Sequence, residues 1–112
     1  MANDGVNGRP GVDTFGDFLE TWIRDQISTR VRSTTLDGYR WRAKSILRAL
    51  GHHRLVDLEP KHIQTYHRDK LDEGLSPATV LKHHILMRSA LAVAVKWKLI
   101  EHNVAELVDP PR

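Results

Sequence analysis

Phe15, Phe18, Leu19, Trp22, Ile23 and Ile27 recur at three- and four-residue intervals, the period that lines one face of a helix. Residues 14–27 are therefore predicted to be helical, with Thr14 and Asp17 placed as a capping box for the free backbone N–H groups of the first turn. A second stripe, Leu36, Tyr39, Ala43, Ile46, Leu47 and Leu50, predicts a helix that starts at Ser33 or Thr34. It ends at Gly51, a residue able to take the left-handed conformation that closes a helix. The stretch "HHRLVDL" then reads as an extended link. A third helix begins at Pro60, whose missing N–H costs nothing in a first turn. It turns Ile63, Tyr66 and Leu71 inward, with the stem of Lys70 beside them, and Gly74 closes it. The fourth opens on Ser76 as cap and Pro77 in its first turn and runs to about Ile100. Its apolar residues (Val80, Leu81, Ile85, Leu86, Met87, Leu91, Val93, Val95, Trp97, Leu99) go nearly all the way round, as in the central helix of a bundle. "NVAELV" offers one short further turn, "DPPR" stops the pattern, and no segment alternates as a strand does. The fold class predicted is all-α: a compact four-helix bundle with short connections and, at its C-terminus, at most a short fifth helix.

The chain has 112 residues, the size of one domain with one core. It has no cysteine, which removes disulfides and thiolate metal sites and suits the cytosol. No apolar run approaches the ~18 residues of a membrane span. The start, "MANDGVNGRPG", has neither a signal-peptide core nor the character of a transit peptide, so residues 1–12 read as a flexible lead-in.

Charge changes the picture more than composition does. The net charge is only +3, but its sign alternates by segment. Residues 1–29 hold five acids against two bases, and residues 57–75 five acids against three bases. Residues 30–56 hold seven bases against one acid, and residues 76–100 four bases and no acid. The second and fourth predicted helices are thus the basic ones, and if they lie side by side one face of the bundle is positive. Such segregation is the footprint of a polyanion binder. On a helical wheel the side of the second helix opposite its apolar stripe holds Thr34, Gly38, Trp41, Ser45 and Arg48, flanked by Lys44 and Arg42. A tryptophan there is unusual, because burial normally claims it, and the small residues beside it leave room for a partner. The fourth helix carries Ala78, Lys82, Ser89 and Lys96 on its polar side, with Thr79 and His83 nearby. Arg30 and Arg32 stand before the second helix and Lys82 in the second turn of the fourth. Cations there oppose the helix dipole at about 0.3–1 kcal/mol each, whereas phosphate is attracted to helix N-termini.

Other chemistry finds little support. His52–His53 and His83–His84 are adjacent pairs that diverge on a helix, His62 and His67 lie five apart, and neither HxxxH nor HExxH occurs. No metal or cofactor is expected, and His84 is read as a core histidine with a hydrogen-bond partner. Tyr39 and Tyr66 both sit on inner faces as packing residues, with Tyr39 expected to be largely buried. There is no nucleophile elbow, no phosphate-cradling glycine loop and no acid–base cluster, so this segment is not expected to be an enzyme.

"TFGDFLETWI", "STTLDGYRWRAKSILRALG" and "RLVDLEPKHIQTYHRDKLDEGLSPATVLKHHILMRSALAVAVKWKLIEHN", in that order and spacing, resemble the core-binding domain of phage integrases, the tyrosine recombinases, and the equivalent domain of Xer-type recombinases. The resemblance covers residues 13–108, which it implies form a SAM-like DNA-binding domain, one half of a clamp around duplex DNA. It implies that the second and fourth helices cross the major groove at the recombination core site, and that residues 109–112 begin an interdomain linker. Catalysis belongs to a following domain in the family, so the implied partners are duplex DNA, that catalytic domain and other integrase protomers. The isolated domain is expected to be a monomer in the bacterial cytoplasm or nucleoid. Two positions depart from the family pattern: Val104, where a proline usually stands, and Lys98, where a glycine is common.

The leading functional expectation is a non-catalytic DNA-binding domain that positions DNA for site-specific recombination. Arg30, Arg32, Arg42, Lys44, Lys82 and Lys96 would neutralise phosphates. Thr34, Thr35, Thr79 and His83 would approach sugar, phosphate or base edges, and Trp41 stands among them. An N-cap role for Thr34 would compete for its hydroxyl. The alternative is a helical protein-interaction module docking through Trp41.

Overall fold

A computed structural model describes residues 13–112; the lead-in expected at residues 1–12 lies outside the described residues. Among the described residues four α-helices account for the architecture: α1 (Phe15–Trp22), α2 (Ser33–Leu50), α3 (Pro60–Asp72) and α4 (Pro77–Lys96). The described residues contain no strand beyond an isolated bridge between Thr14 and Arg54. The chain packs as two units, one ending at Leu55 and the other starting at Val56.

In the first unit Thr14 caps α1 by accepting from Asp17 N at 3.0 Å. Phe15, Phe18, Leu19 and Trp22 are buried, as their spacing requires. The single helix expected over residues 14–27 instead widens after Trp22 into a π turn, Ile23–Ile27. The Ser28 hydroxyl takes the Arg24 carbonyl, while the Ser28 N–H reaches back to Ile23 O at 2.9 Å. This local competition for carbonyls is what serine does near helix ends, and Ile23 and Ile27 both stay buried. Gly51 ends α2 with a right-handed φ of −64°, not the left-handed one expected. Close packing calls for glycine at both ends of this contact: a Cβ on Gly51 would lie 2.5 Å from Leu47 O, and the N–H of Gly16 donates to Gly51 O at 3.0 Å, where a Cβ on Gly16 would lie 2.9 Å from that oxygen. The expected extended link is also tighter than predicted, with Leu55–Asp57 forming a 3₁₀ turn.

In the second unit α3 and α4 both begin with proline in the first turn. Glu59 and His62 close a reciprocal capping box on α3, and Ser76 caps α4 by accepting from Thr79 N at 3.2 Å. Ile63 and Tyr66 are buried as expected, but Leu71 is 36% exposed and His67 takes the inward place. The Lys70 stem packs as predicted, with Nζ 5.4 Å from the Tyr66 ring centroid. α4 stops at Lys96, four residues short of the expected end. Both helices close in the same way: Gly74 (φ 103°) and Lys98 (φ 63°) are left-handed. Behind them, Leu75 N donates to Lys70 O and Leu99 N to Ala94 O. The short fifth helix is a 3₁₀ turn, Val104–Leu107, capped by Asn103.

Candidate functional site

The outer side of α2 is built as the wheel predicts. Its apolar stripe is anchored by buried Ala43, Ile46 and Leu50, which turns the opposite stripe to solvent. Trp41 is 78% exposed, and Thr34, Thr35, Lys44 and Arg48 are exposed around it. Arg30 and Arg32 are exposed just before the helix. The N-cap position is Arg32, which gives no side-chain cap, so Thr34 lies within the first turn and its hydroxyl is not consumed in capping. Arg42 is half-buried and folds along its own helix. Its guanidinium carbon sits 5.5 Å from the Tyr39 ring centroid, and its Nε is buried with no hydrogen-bond partner. Tyr39 itself is half-buried, less than expected, and meets Trp22 edge-on with ring centroids 6.2 Å apart.

On α4, Thr79, Lys82 and Lys96 are exposed. The Thr79 hydroxyl accepts from the Ser76 hydroxyl at 3.0 Å and remains able to donate outward. His83 does not belong with them. It is 4% exposed, and its Nδ1 is hydrogen-bonded to the Tyr66 hydroxyl at 2.8 Å. The expectation that His83 reaches DNA is corrected accordingly: α3 covers that side of α4 and supplies a polar partner for an otherwise costly buried imidazole. His84 is the core histidine expected, with Nδ1 3.2 Å from His67 Nε2. Burial, with His84 and then His83 nearby, lowers the His67 pKa to about 4; burial and then Arg88 lower that of His84. Both imidazoles are therefore neutral at pH 7. Among the described residues no group of three or more His, Asp or Glu side chains is placed to hold a metal ion. No helix among them is long and apolar enough to cross a membrane.

Sequence reasoning missed one feature. Within the first unit an open groove of about 660 Å³ runs along the flank of α2, floored by Ile23, Ala43 and Leu47 and rimmed by Arg40, Lys44 and Arg48. The signal was the i, i+4, i+8 repeat of those cations. Its partner wall comes from the π turn, which periodicity does not disclose.

The family model described as phage integrase, N-terminal SAM-like domain matches residues 14–71. An integrase from Saccharopolyspora erythraea is 28% identical over 98 residues, spanning 85% of this chain but 22% of that protein. The phage integrase SAM-like domain from Moorella thermoacetica superimposes with a TM-score of 0.77 at 30% identity, covering 93% of this chain and 90% of that one. The integrase-like domain from Bacillus cereus gives a TM-score of 0.81 at 28% identity over 93% and 88% of the two chains. A lambda integrase dimer bound to a COC′ core site shares the fold at 22% identity, with a TM-score of 0.81 over 88% of this chain and 36% of that one.

Proposed function

The chain belongs to the phage integrase N-terminal SAM-like domain family, and from that premise we propose that it binds duplex DNA at a recombination core site. It holds the DNA for strand exchange carried out by a separate catalytic domain, beside other integrase protomers. The observation that carries this reading is the outer side of α2: an indole 78% exposed, set among exposed hydroxyls and cations and bordered by Gly38 and Ser45. A helix side of that composition suits a groove of DNA, with phosphates met by cations and base edges met by the indole and hydroxyls. Arg30, Arg32, Lys44, Lys82 and Lys96 neutralise phosphates. Arg42 joins them from its place over the Tyr39 ring. Thr34, Thr35 and Thr79 approach sugar, phosphate or base edges. The lambda integrase dimer on its core site supports the reading at the level of fold.

The test is the double charge reversal Lys44→Glu with Lys82→Glu. Both side chains are exposed, so helicity and melting temperature should stay near those of the parent chain. Duplex affinity should fall by at least about 100-fold, since two attractive phosphate contacts become repulsive. Retained helicity with unchanged duplex affinity would refute the assignment of α2 and α4 as the DNA-contacting helices. The second reading, protein docking through Trp41, is favoured by the same exposure but predicts an interaction that survives salt.

A further inference from the structure

The flank groove of the first unit differs in kind from the outer side of α2. Its floor is apolar: Ile23 and Ala43 are buried within it and Leu47 is half-buried. Its rim is cationic. Arg40, Lys44 and Arg48 stand on successive turns of α2, all exposed, and none of the three is ion-paired among the described residues. At 1.5 Å per residue the three span about 12 Å, slightly over two helical turns. Arg24 also borders the groove, but its charge is answered by Asp25 at 3.0 Å, and Glu20 is the one acid on the rim. The balance is an uncompensated positive rim around a strip of carbon.

Duplex DNA matches only half of that description. Phosphates would satisfy the rim, but a sugar–phosphate strand brings no aliphatic side chain to the floor. Carboxylates on a peptide, with leucine-like side chains between them, satisfy both. We propose that this groove docks an acidic amphipathic segment of a partner protein, its apolar side chains on Ile23, Ala43 and Leu47 and its carboxylates on Arg40, Lys44 and Arg48. The inference goes beyond DNA binding and does not depend on it. Lys44 and Arg48 border both surfaces, whereas Arg40 belongs to the groove alone.

The experiment uses the whole chain with labelled Ile, Leu and Ala methyl groups. Three probes are titrated separately: a synthetic peptide of about four helical turns with leucines at i, i+3, i+4 and i+7, glutamates beside them and alanine elsewhere, the same peptide with serine for every leucine, and a short duplex. The proposal expects the leucine–glutamate peptide to shift the Ile23, Ala43 and Leu47 methyl signals saturably. It expects the serine peptide, of equal charge, to bind at least about tenfold more weakly, because the floor contributes nothing to it. Arg40→Glu should weaken the leucine–glutamate peptide by at least about tenfold, and Arg40→Lys should restore most of the affinity. Absence of saturable shifts at the three methyl groups overturns the proposal, as does equal binding of the serine peptide. Shifts of those methyl groups by the duplex and not by the peptide also overturn it, and assign the groove to DNA.

Discussion

Lys98 is the position where this chain departs from its own rule. It sits after α4 in the place that Gly74 holds after α3, and both residues are left-handed, at φ 63° and 103°. The hydrogen bonds of the two closures correspond: Lys98 N to Val95 O with Leu99 N to Ala94 O, and Gly74 N to Leu71 O with Leu75 N to Lys70 O. A side chain in that conformation brings Cβ toward the following carbonyl and costs about 1–2 kcal/mol, which glycine avoids. Glycine returns part of this, about 0.5–1 kcal/mol, through the greater freedom of its unfolded chain. The exposed Lys98 side chain also has a favourable interaction with the negative end of α4, of about 0.3 kcal/mol or more. Lys98→Ala removes the charge and keeps the strain, so the comparison of Lys98→Gly with Lys98→Ala isolates the backbone contribution. Lys98→Gly should be more stable than Lys98→Ala by about 0.5–1 kcal/mol, or about 2–6 °C in melting temperature for a chain of this size. Gly74→Ala should do the reverse, losing about 1 kcal/mol although open space surrounds its Cβ. Thermal melts followed by circular dichroism measure all three. A Lys98→Gly variant no more stable than Lys98→Ala would refute the reading of this closure.

Acid should loosen the second unit. The folded state lowers the pKa of His67 to about 4 and that of His84 as well, so between about pH 6.5 and 4 the unfolded chain binds more protons than the folded one. Stability is present above that window and lost as pH falls through it, by about 2 kcal/mol once residual hydration is allowed for. Urea titrations across the window should show this slope, and His67→Gln, which keeps a polar group without a titrating one, should flatten it; an unchanged slope would contradict the assignment. Tyr39→Ala should cost about 1.5–3 kcal/mol, less than a full core truncation because the ring is half-exposed, and Tyr39→Phe should stay within about 0.5 kcal/mol by keeping the edge contact with Trp22. Equal losses in the two variants, measured by urea unfolding, would shift the role of Tyr39 from packing to its hydroxyl.

The helices were legible because three of the four announce their starts, and α1, α2 and α3 announce their period. Thr14, Ser76, Pro60 and Pro77 mark three N-termini by chemistry that is local to the first turn. Trp41 was legible for the same reason, since an indole opposite a continuous apolar stripe has no interior to enter. Part of what failed depended on partners distant in sequence. The burial of His83 follows from Tyr66, seventeen positions away, and nothing in the α4 pattern discloses that contact. Leu71 and His67 lie one turn apart on the same edge of the stripe, and the inward place is held by His67, which meets His84. The π turn carries the Ser28 hydroxyl on the Arg24 carbonyl, a local arrangement that hydrophobic spacing does not register. The end of α4 moved because Lys98 adopts a backbone conformation seldom taken by residues other than glycine, so its side chain gave no warning.

DNA binding is tested most directly by the salt dependence of duplex affinity for the intact chain. Four to five neutralised phosphates, drawn from Arg30, Arg32, Lys44, Lys82 and Lys96, should give a slope of log K against log[salt] of about −4. Fluorescence anisotropy of a labelled duplex over rising salt reads that slope, and Trp41→Ala should lower affinity while leaving the slope unchanged, because the indole carries no charge. A flat response, or binding that persists undiminished in high salt, would contradict a phosphate-contacting role for α2 and α4.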